Sequence, residues 1–211
     1  MYGVCRYGEE EEDSVKTVLV CGHGRCGSSL MMQMLQAGGY PTVGYYPAFE
    51  DECVGIDADM FALLRDSSGH AIKVLDPQMR EWPSPMDTQT RVIWLDRDRN
   101  EQGRSQVKFL RLIGGIEGIP QNAWKAFAAS YGADTAFALK TFRDRGLEVL
   151  RITFEDLILF PHSTALRVSE WIREDLDLER MAGAVIRRSP KCQPGVDIEL
   201  LQVAGQRRKS A

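Results

Sequence analysis

Residues 16–39 read KTVLVCGHGRCGSSLMMQMLQAGG, and this stretch decides the fold. Its first part, 17–21, is a short run rich in apolar and β-branched residues, which is typical of a strand buried on both faces. A glycine-rich turn follows at once, and Ser28 and Ser29 then begin a segment whose apolar residues have helical spacing. Glycines let the backbone approach a ligand, and a helix N-terminus presents unpaired N–H groups. The stretch therefore predicts a cradle for phosphate or sulfate.

The turn, which we call the anion loop (residues 22–27), has the glycine spacing of a nucleoside-triphosphate P-loop, with Gly22 and Gly27 at the glycine positions. Ser28 stands where that motif has the lysine that holds the β- and γ-phosphates, which argues against ATP or GTP hydrolysis. Arg25 lies inside the loop and can present a planar, charged fork to an anion. The alternative is a tight strand-to-helix turn without a ligand, which needs fewer glycines.

Composition places the chain among globular proteins. With 211 residues and 44% hydrophobic residues, we expect one domain at 16–190, a mobile acidic leader at 1–15 and a tail at 191–211. The net charge of −4 argues against general binding of nucleic acid or a membrane surface. Without a long apolar stretch, we expect a cytoplasmic protein with no membrane span. The five cysteines lack paired metal-ligand spacing, so we expect reduced thiols and no metal site.

Short apolar runs at 70–75, 90–95 and 147–154 predict three more strands, and segments with helical periodicity separate them. This alternation predicts a three-layer α/β/α fold with a mainly parallel sheet. Lys73, Asp76 and Arg97 come at or near the carboxyl ends of these strands, where open parallel sheets bind their ligands.

The segment 24–30, GRCGSSL, resembles the 5′-phosphosulfate loop of the P-loop sulfotransferases, whose pattern is [K/R]-[S/x]-G-[T/S]-[T/S]-[W/L]. Those enzymes move a sulfuryl group from 3′-phosphoadenosine 5′-phosphosulfate (PAPS) to a hydroxyl or amine. Arg97 and Ser105 have the family's R-x(7)-S spacing, and 154–157, FEDL, is similar to its Y-E-D-L. The resemblance covers roughly residues 17–175 and implies PAPS as co-substrate, a small-molecule or glycan acceptor and no metal.

The resemblance also implies a donor-binding role for several residues. The 5′-phosphosulfate would be bound by Arg25, Cys26, Gly27, Ser28 and Ser29, and the 3′-phosphate by Arg97 and Ser105. Arg99 could substitute for Arg97 or assist it. A late basic segment containing Arg188 could close over the 3′-phosphate and adenine, the alternative being a solvated tail. We expect the thiol of Cys26 to be a neutral filler, and Glu155 to be a cap or loop anchor.

The acceptor side is predicted less directly. Lys73-x-x-x-Pro77 resembles the K-T-H-x-P segment of cytosolic sulfotransferases, whose lysine approaches the sulfuryl group, but Leu75 occupies the position of the catalytic histidine. We therefore expect a carboxylate base, Glu50 or else Glu52, with nearby aromatic residues desolvating it enough to accept a proton. A solvated acidic turn and a solvated strand-end lysine are the alternatives.

Two other functions fit the same pattern. The first is a kinase-like phosphoryl transferase. The chain lacks the P-loop lysine that such an enzyme uses, and Asp96 after the third strand is the one residue in favour of this function. A catalytically silent nucleotide-binding or scaffold protein on the same fold is the second alternative.

Overall fold

The computed structural model describes residues 17–50, 59–87, 89–112 and 118–192. The predicted leader, Glu52 and most of the predicted tail lie outside these ranges. The helices and strands are β1 (Thr17–Gly22), α1 (Ser28–Ala37), α2 (Met60–Asp66), β2 (His70–Leu75), β3 (Thr90–Asp96), α3 (Arg99–Leu112), α4 (Trp124–Asp144), β4 (Glu148–Thr153), α5 (Phe154–Leu159), α6 (Pro161–Ile172) and α7 (Leu178–Gly183). Within the described residues, no helix is both long and apolar enough to cross a membrane.

The four strands form one parallel sheet in the order β2-β1-β3-β4. Thr17 at the start of β1 lies opposite His70 of β2 and Thr90 of β3. Because β2 and β3 flank β1 on opposite sides, the strand order reverses there, and the carboxyl ends of these strands form the crevice where such sheets bind ligands. The predicted α/β/α class with a parallel sheet is confirmed.

Alternate residues of β1 enter two hydrophobic layers. Val18 and Val20 face α1 and the C-terminal helices, in a cluster that includes Met31 and Leu157. Leu19 and Cys21 face the other layer, where Phe142 of α4 packs. Burying an apolar side chain of this size contributes about 1.5–3 kcal/mol to the stability of the fold. A strand that is covered on both faces therefore needs a continuous apolar sequence.

The fourth strand was predicted as a core strand, but it lies at an edge of the sheet and is only partly buried. In β4 only Ile152 is fully buried, whereas Glu148 and Arg151 are exposed. The outer side of the strand has no neighbour in the sheet, so polar residues are tolerated at these positions.

Helix α4 also differs from its prediction. From the sequence alone, Asn122 predicts an N-cap for this helix and Gly132 predicts a break within it, but the helix is continuous and no described side chain caps it. A methyl group added at Gly132 would lie 2.7 Å from Nη1 of Arg99, so the glycine makes room for that side chain. Tyr131 and Phe142 are buried as expected, whereas Phe137 is 59% exposed because it lies on another face of the helix.

Candidate active site

The anion loop folds as a tight turn at the end of β1. The N–H of Cys26 donates to the carbonyl of His23 at 3.2 Å. Arg25 and Gly27 both have left-handed backbones, with φ of 70° and 104°. A Cβ at Gly27 would lie 2.7 Å from the Phe154 ring, so only glycine fits at this position without displacement.

The N-terminus of α1 opens onto this loop. Gly27 is the N-cap and no side chain caps the helix, so its first-turn N–H groups are positioned for an anion. Ser28 is buried beside them. The side chain of Cys26 is also fully buried, and burial raises the pKa of its thiol to about 11 despite hydrogen bonding with Ser28. The thiol is therefore neutral, as predicted.

Three predicted donor-binding residues are linked by direct hydrogen bonds. Nη1 of Arg97 donates to the carbonyl of Arg25 at 3.1 Å, and Nε of Arg25 donates to Oγ of Ser105 at 3.2 Å. Arg97 lies over the Phe154 ring at 4.2 Å, and Arg188 lies over the same ring at 5.6 Å. We call Arg25, Arg97, Ser105 and Arg188 the donor cluster.

Arg97 is the residue of the donor cluster whose environment best fits a ligand. Burial, with Arg25 nearby, lowers the pKa of its guanidinium. Its Nη2 donates to the carbonyl of Pro190 at 2.9 Å, but its buried Nε has no hydrogen-bond partner among the described residues. An unsatisfied buried donor of this kind costs about 1–3 kcal/mol, and an anion bound beside it would satisfy it.

Arg99 is not part of the donor cluster. Its guanidinium packs against Gly132 of α4, so the structure does not place it where it could assist Arg97 as predicted. Glu155, in contrast, accepts the backbone N–H of Asp98 at 3.3 Å and serves as the predicted loop anchor.

Lys73 lies in β2, across β1 from β3, and is not the solvated lysine of the alternative prediction. Its side chain is only 3% exposed. Its Nζ donates to Oε1 of Glu50 at 2.9 Å, to Oγ of Ser29 at 3.3 Å and to the carbonyl of Ala48. These bonds use all three ammonium protons.

The segment that carries Glu50 is held against α1 and β2. Gln33 donates to the carbonyl of Pro47 at 2.9 Å, and Tyr45 forms an antiparallel bridge with Glu50. The expected desolvation of Glu50 by aromatic residues does not occur, because its side chain is 67% exposed and Tyr45 is 82% exposed. Of the neighbouring aromatic residues, Phe49 is buried, in the core beneath the segment.

Comparison with solved structures identifies the architecture. Mouse sulfotransferase SULT7A1 complexed with PAP matches 81% of this chain and 62% of its own, with a TM-score of 0.57 and 14% identity. Retinol dehydratase in complex with androsterone and inactive cofactor PAP matches 93% and 80%, with a TM-score of 0.56 and 14% identity. Sulfotransferase STF9 from Mycobacterium avium matches 92% and 76%, with a TM-score of 0.55 and 14% identity. The chain has the sulfotransferase fold.

No protein-family model matches the sequence, and the search of curated proteins gave no significant match. The sulfotransferase fold is therefore established by the structure, and the chain spans less than two thirds of the length of the mouse enzyme.

Sequence reasoning gave no role to His23, the second residue of the anion loop. The ring is 3% exposed, with Nδ1 at 3.2 Å from Oδ1 of Asp76 and Nε2 at 3.1 Å from Oγ1 of Thr135. Tyr131 stacks on it with ring centroids 5.3 Å apart. The signal available in the sequence was a histidine between two glycines directly after a buried strand.

Asp96 does not support a metal-dependent phosphoryl transferase. Its carboxylate accepts from Nη2 of Arg151 at 2.6 Å and from Nε1 of Trp94 at 2.9 Å. These contacts commit the carboxylate to a structural role at the end of β3.

A cavity of about 360 Å³ lies elsewhere in the sulfotransferase fold. It is lined by Thr17 and Thr90 at the amino ends of β1 and β3, together with Phe61 and Met86. It is therefore at the edge of the sheet opposite to the anion loop and does not belong to the candidate active site.

Proposed function

We propose that this protein is a sulfotransferase that moves a sulfuryl group from PAPS to a hydroxyl or amine acceptor and releases adenosine 3′,5′-bisphosphate. The observation that carries the proposal is the hydrogen-bonded link from Arg97 through Arg25 to Ser105, beside which the Nε of Arg97 has no partner within the described ranges. This link joins the anion loop to the end of β3 and to α3. One anionic group of a ligand could therefore bind at the loop while a second binds at Arg97 and Ser105.

In this proposal the ligand's two charged ends have separate partners. The 5′-phosphosulfate binds the backbone N–H groups from Cys26 to Ser29 at the N-terminus of α1, together with Arg25. The 3′-phosphate binds Arg97 and Ser105, and Arg188 closes over it from the segment after α7. These preorganised donors also stabilise the charge that develops on the leaving phosphate during transfer.

Glu50 is proposed as the base that removes the acceptor's proton. Its carboxylate is exposed, so an acceptor can reach it, and Lys73 holds one of its oxygens in a fixed position. General-base catalysis of this kind contributes about 10²–10⁴-fold to the rate.

Lys73 is proposed to stabilise the oxygen that leaves with the phosphate. Since its three protons already have partners, one hydrogen bond must be released before it can act. Proton uptake by Glu50 neutralises that carboxylate and weakens its bond to Lys73. Removal of the acceptor's proton is thereby coupled to assistance of the leaving group.

The first test is binding, because it separates this function from its two alternatives. Thermal-shift titrations would compare adenosine 3′,5′-bisphosphate, 5′-AMP and Mg·ATP, with the wild type and Arg97→Ala. At about 100 times its Kd, a ligand stabilises the fold by about 2.7 kcal/mol. We expect the bisphosphate to give the largest shift and Arg97→Ala to remove its advantage over 5′-AMP.

A preference for Mg·ATP would refute the proposal in favour of a kinase-like enzyme, and the absence of any shift would refute nucleotide binding altogether. With binding established, release of the bisphosphate from PAPS in the presence of simple alcohols, phenols and amines tests turnover. Binding without turnover for any acceptor would favour the silent nucleotide-binding protein.

A further inference from the structure

A buried glutamine of helix α3 holds the backbone of the anion loop. Gln102 lies in the first turn of α3 and is only 4% exposed. Its Nε2 donates to the carbonyl of His23 at 3.2 Å and to the carbonyl of Gly24 at 3.0 Å. A side-chain amide has two N–H donors, so both are used on two consecutive peptide groups of the loop.

These two hydrogen bonds also define the orientation of the Gln102 amide. Carbonyl oxygens can only accept, so the nitrogen of the amide and not its oxygen must face the loop. The carbonyl of His23 additionally accepts the N–H of Cys26 at 3.2 Å, which closes the turn. Gln102 therefore bonds to the carbonyl that closes the loop and to the carbonyl of the next residue along the chain.

The same contacts set the direction of two N–H groups of the loop. In a trans peptide the C=O and N–H bonds point in opposite directions, and the peptides of the loop are trans. Since the carbonyls of His23 and Gly24 point toward α3, the N–H groups of Gly24 and Arg25 point away from it. His23 is buried, whereas Gly24 and Arg25 are partly exposed. Consecutive N–H groups presented in this way suit an anion.

Helix α3 is a firm support for this contact. The backbone N–H of Gln102 donates to the carbonyl of Asp98 at 2.8 Å, at the start of the helix. A Cβ at Gly103 would lie 2.5 Å from the carbonyl oxygen of Trp124, so α3 packs directly against the backbone of α4. One turn after Gln102, Ser105 accepts from Nε of Arg25. The helix thus contacts three consecutive loop residues, 23–25, and fixes the loop relative to the rest of the fold.

We propose that Gln102 is a positioning residue for the 5′-phosphosulfate: by holding the carbonyls of two loop residues, it directs the N–H groups of Gly24 and Arg25 to the 5′-anionic group. This inference rests on the proposed function and adds a residue outside the anion loop to the 5′ side of the donor site. Ser105, on the same helix, is assigned to the 3′-phosphate. Loss of Gln102 should therefore weaken only those ligands that carry a 5′-phosphate, which is the opposite selectivity to loss of Arg97.

Proton–nitrogen NMR of the wild type tests this role without a substitution. The backbone N–H signals of Gly24 and Arg25 and the side-chain amide signal of Gln102 would be followed while 5′-AMP, adenosine 3′-monophosphate or adenosine is added. An anion that accepts from a peptide N–H polarises the peptide and strengthens its carbonyl as an acceptor. We expect 5′-AMP to shift all three signals downfield. The other two ligands should leave these signals in place.

Calorimetry on two matched variants measures the size of the effect. Gln102→Met keeps the length of the side chain and removes its donor. We expect the Kd of 5′-AMP and of adenosine 3′,5′-bisphosphate to rise by about tenfold or more, and that of adenosine 3′-monophosphate to change by less than about threefold. Gln106→Met is the control on the next turn of α3. Its Oε1 would lie 2.8 Å from a Cβ at Gly24 but has no hydrogen-bond partner among the described residues, so all three Kd values should be retained.

The two proposals fail in different ways. If the bisphosphate does not bind the wild type, the sulfotransferase proposal fails, and inorganic sulfate then replaces 5′-AMP in the NMR titration: a response of Gly24 and Arg25 supports the contact, and its absence overturns it. If the bisphosphate binds but 5′-AMP leaves these N–H signals in place, the inference about Gln102 is overturned. Equal losses for the 5′- and 3′-monophosphates in Gln102→Met, or the same loss in Gln106→Met, overturn it as well. Should Gln102→Met fail to fold, the wild-type titration decides alone.

Discussion

Replacing Arg97 by alanine should remove the protein's ability to distinguish adenosine 3′,5′-bisphosphate from 5′-AMP. Arg97 donates to the carbonyls of Arg25 and Pro190, and its buried Nε has no partner in the part of the chain that the structure describes. A guanidinium has five N–H groups, so at least three remain for a phosphate after these two contacts.

The size of the effect follows from this geometry. Each hydrogen bond to a charged group contributes about 1.5–3 kcal/mol, and two of them to one phosphate give roughly 3–6 kcal/mol. Because such terms are not additive, we take the lower half of that range. The Kd of the bisphosphate should rise by about 10²–10³-fold. The Kd of 5′-AMP, which lacks the 3′-phosphate, should rise by less than about tenfold through loss of the contact that supports the loop.

Isothermal titration calorimetry with both nucleotides measures the two values. The ratio of the two Kd values is the informative quantity, since general damage to the anion loop affects both nucleotides and cancels. Arg99→Ala is the matched control, because Arg99 is two residues away in the chain but packs against Gly132 of α4. It should leave the ratio unchanged.

Either of two results would refute this reasoning. An equal loss for both nucleotides in Arg97→Ala would mean that Arg97 acts only by supporting the loop. A selective loss in Arg99→Ala would place the 3′-phosphate on the side of α4 instead.

Three further predictions test other parts of the site. Glu50→Gln should lower turnover of PAPS by about 10²–10⁴-fold, measured as bisphosphate release, with the Kd of the bisphosphate unchanged by calorimetry; a parallel loss of affinity would contradict its role as base. Gly27→Ala forces a Cβ to 2.7 Å from Phe154 at φ of 104°, and urea unfolding should show a loss of about 2–4 kcal/mol. Gly183→Ala, where the methyl group meets open space, should instead be neutral or stabilise by about 0.5–1 kcal/mol. Burial raises the pKa of Cys26 from 9.0 to about 11, so between these pH values the native state keeps a proton that the unfolded chain releases. The free energy of unfolding should therefore fall as the pH rises through this interval. The fall should be less steep in Cys26→Ala.

The three strands whose ends surround the anion loop could be predicted from the sequence because their signals are local. β2 was predicted with its observed bounds, and β1 and β3 extend only one residue beyond their predictions. A strand covered on both faces must be apolar throughout, so its sequence shows its burial directly. The grouping of Arg25 with Arg97 and Ser105 was implied by the resemblance to the sulfotransferases, and the structure links the three side chains by hydrogen bonds.

What could not be predicted depends on the direction of single side chains. Phe137 and Ala138 are adjacent in the sequence but lie on different faces of α4. The helical spacing of apolar residues did not show that Phe137 is exposed and Ala138 is buried. His23 contacts Thr135 at a separation of 112 residues, which no local pattern records. The exposure of Glu50 depends on how its segment lies against α1, a tertiary feature set by contacts such as that of Gln33 with Pro47.

The partners of the basic side chains distinguish Arg97 of the donor cluster from the arginines and lysines that form ion pairs within the protein. Arg151 and Lys140 each pair with a carboxylate, so their charge is already compensated within the protein. Arg97 instead donates to two backbone carbonyls, which orient the guanidinium, and the carboxylates of Glu155 and Glu101 act on its pKa without an ion pair among the described residues. Burial makes that charge costly, as the lowered pKa of Arg97 indicates, and a bound anion would offset this cost. Carbonyl-held arginines beside an uncapped helix N-terminus therefore favour a doubly anionic ligand more strongly than the loop sequence alone.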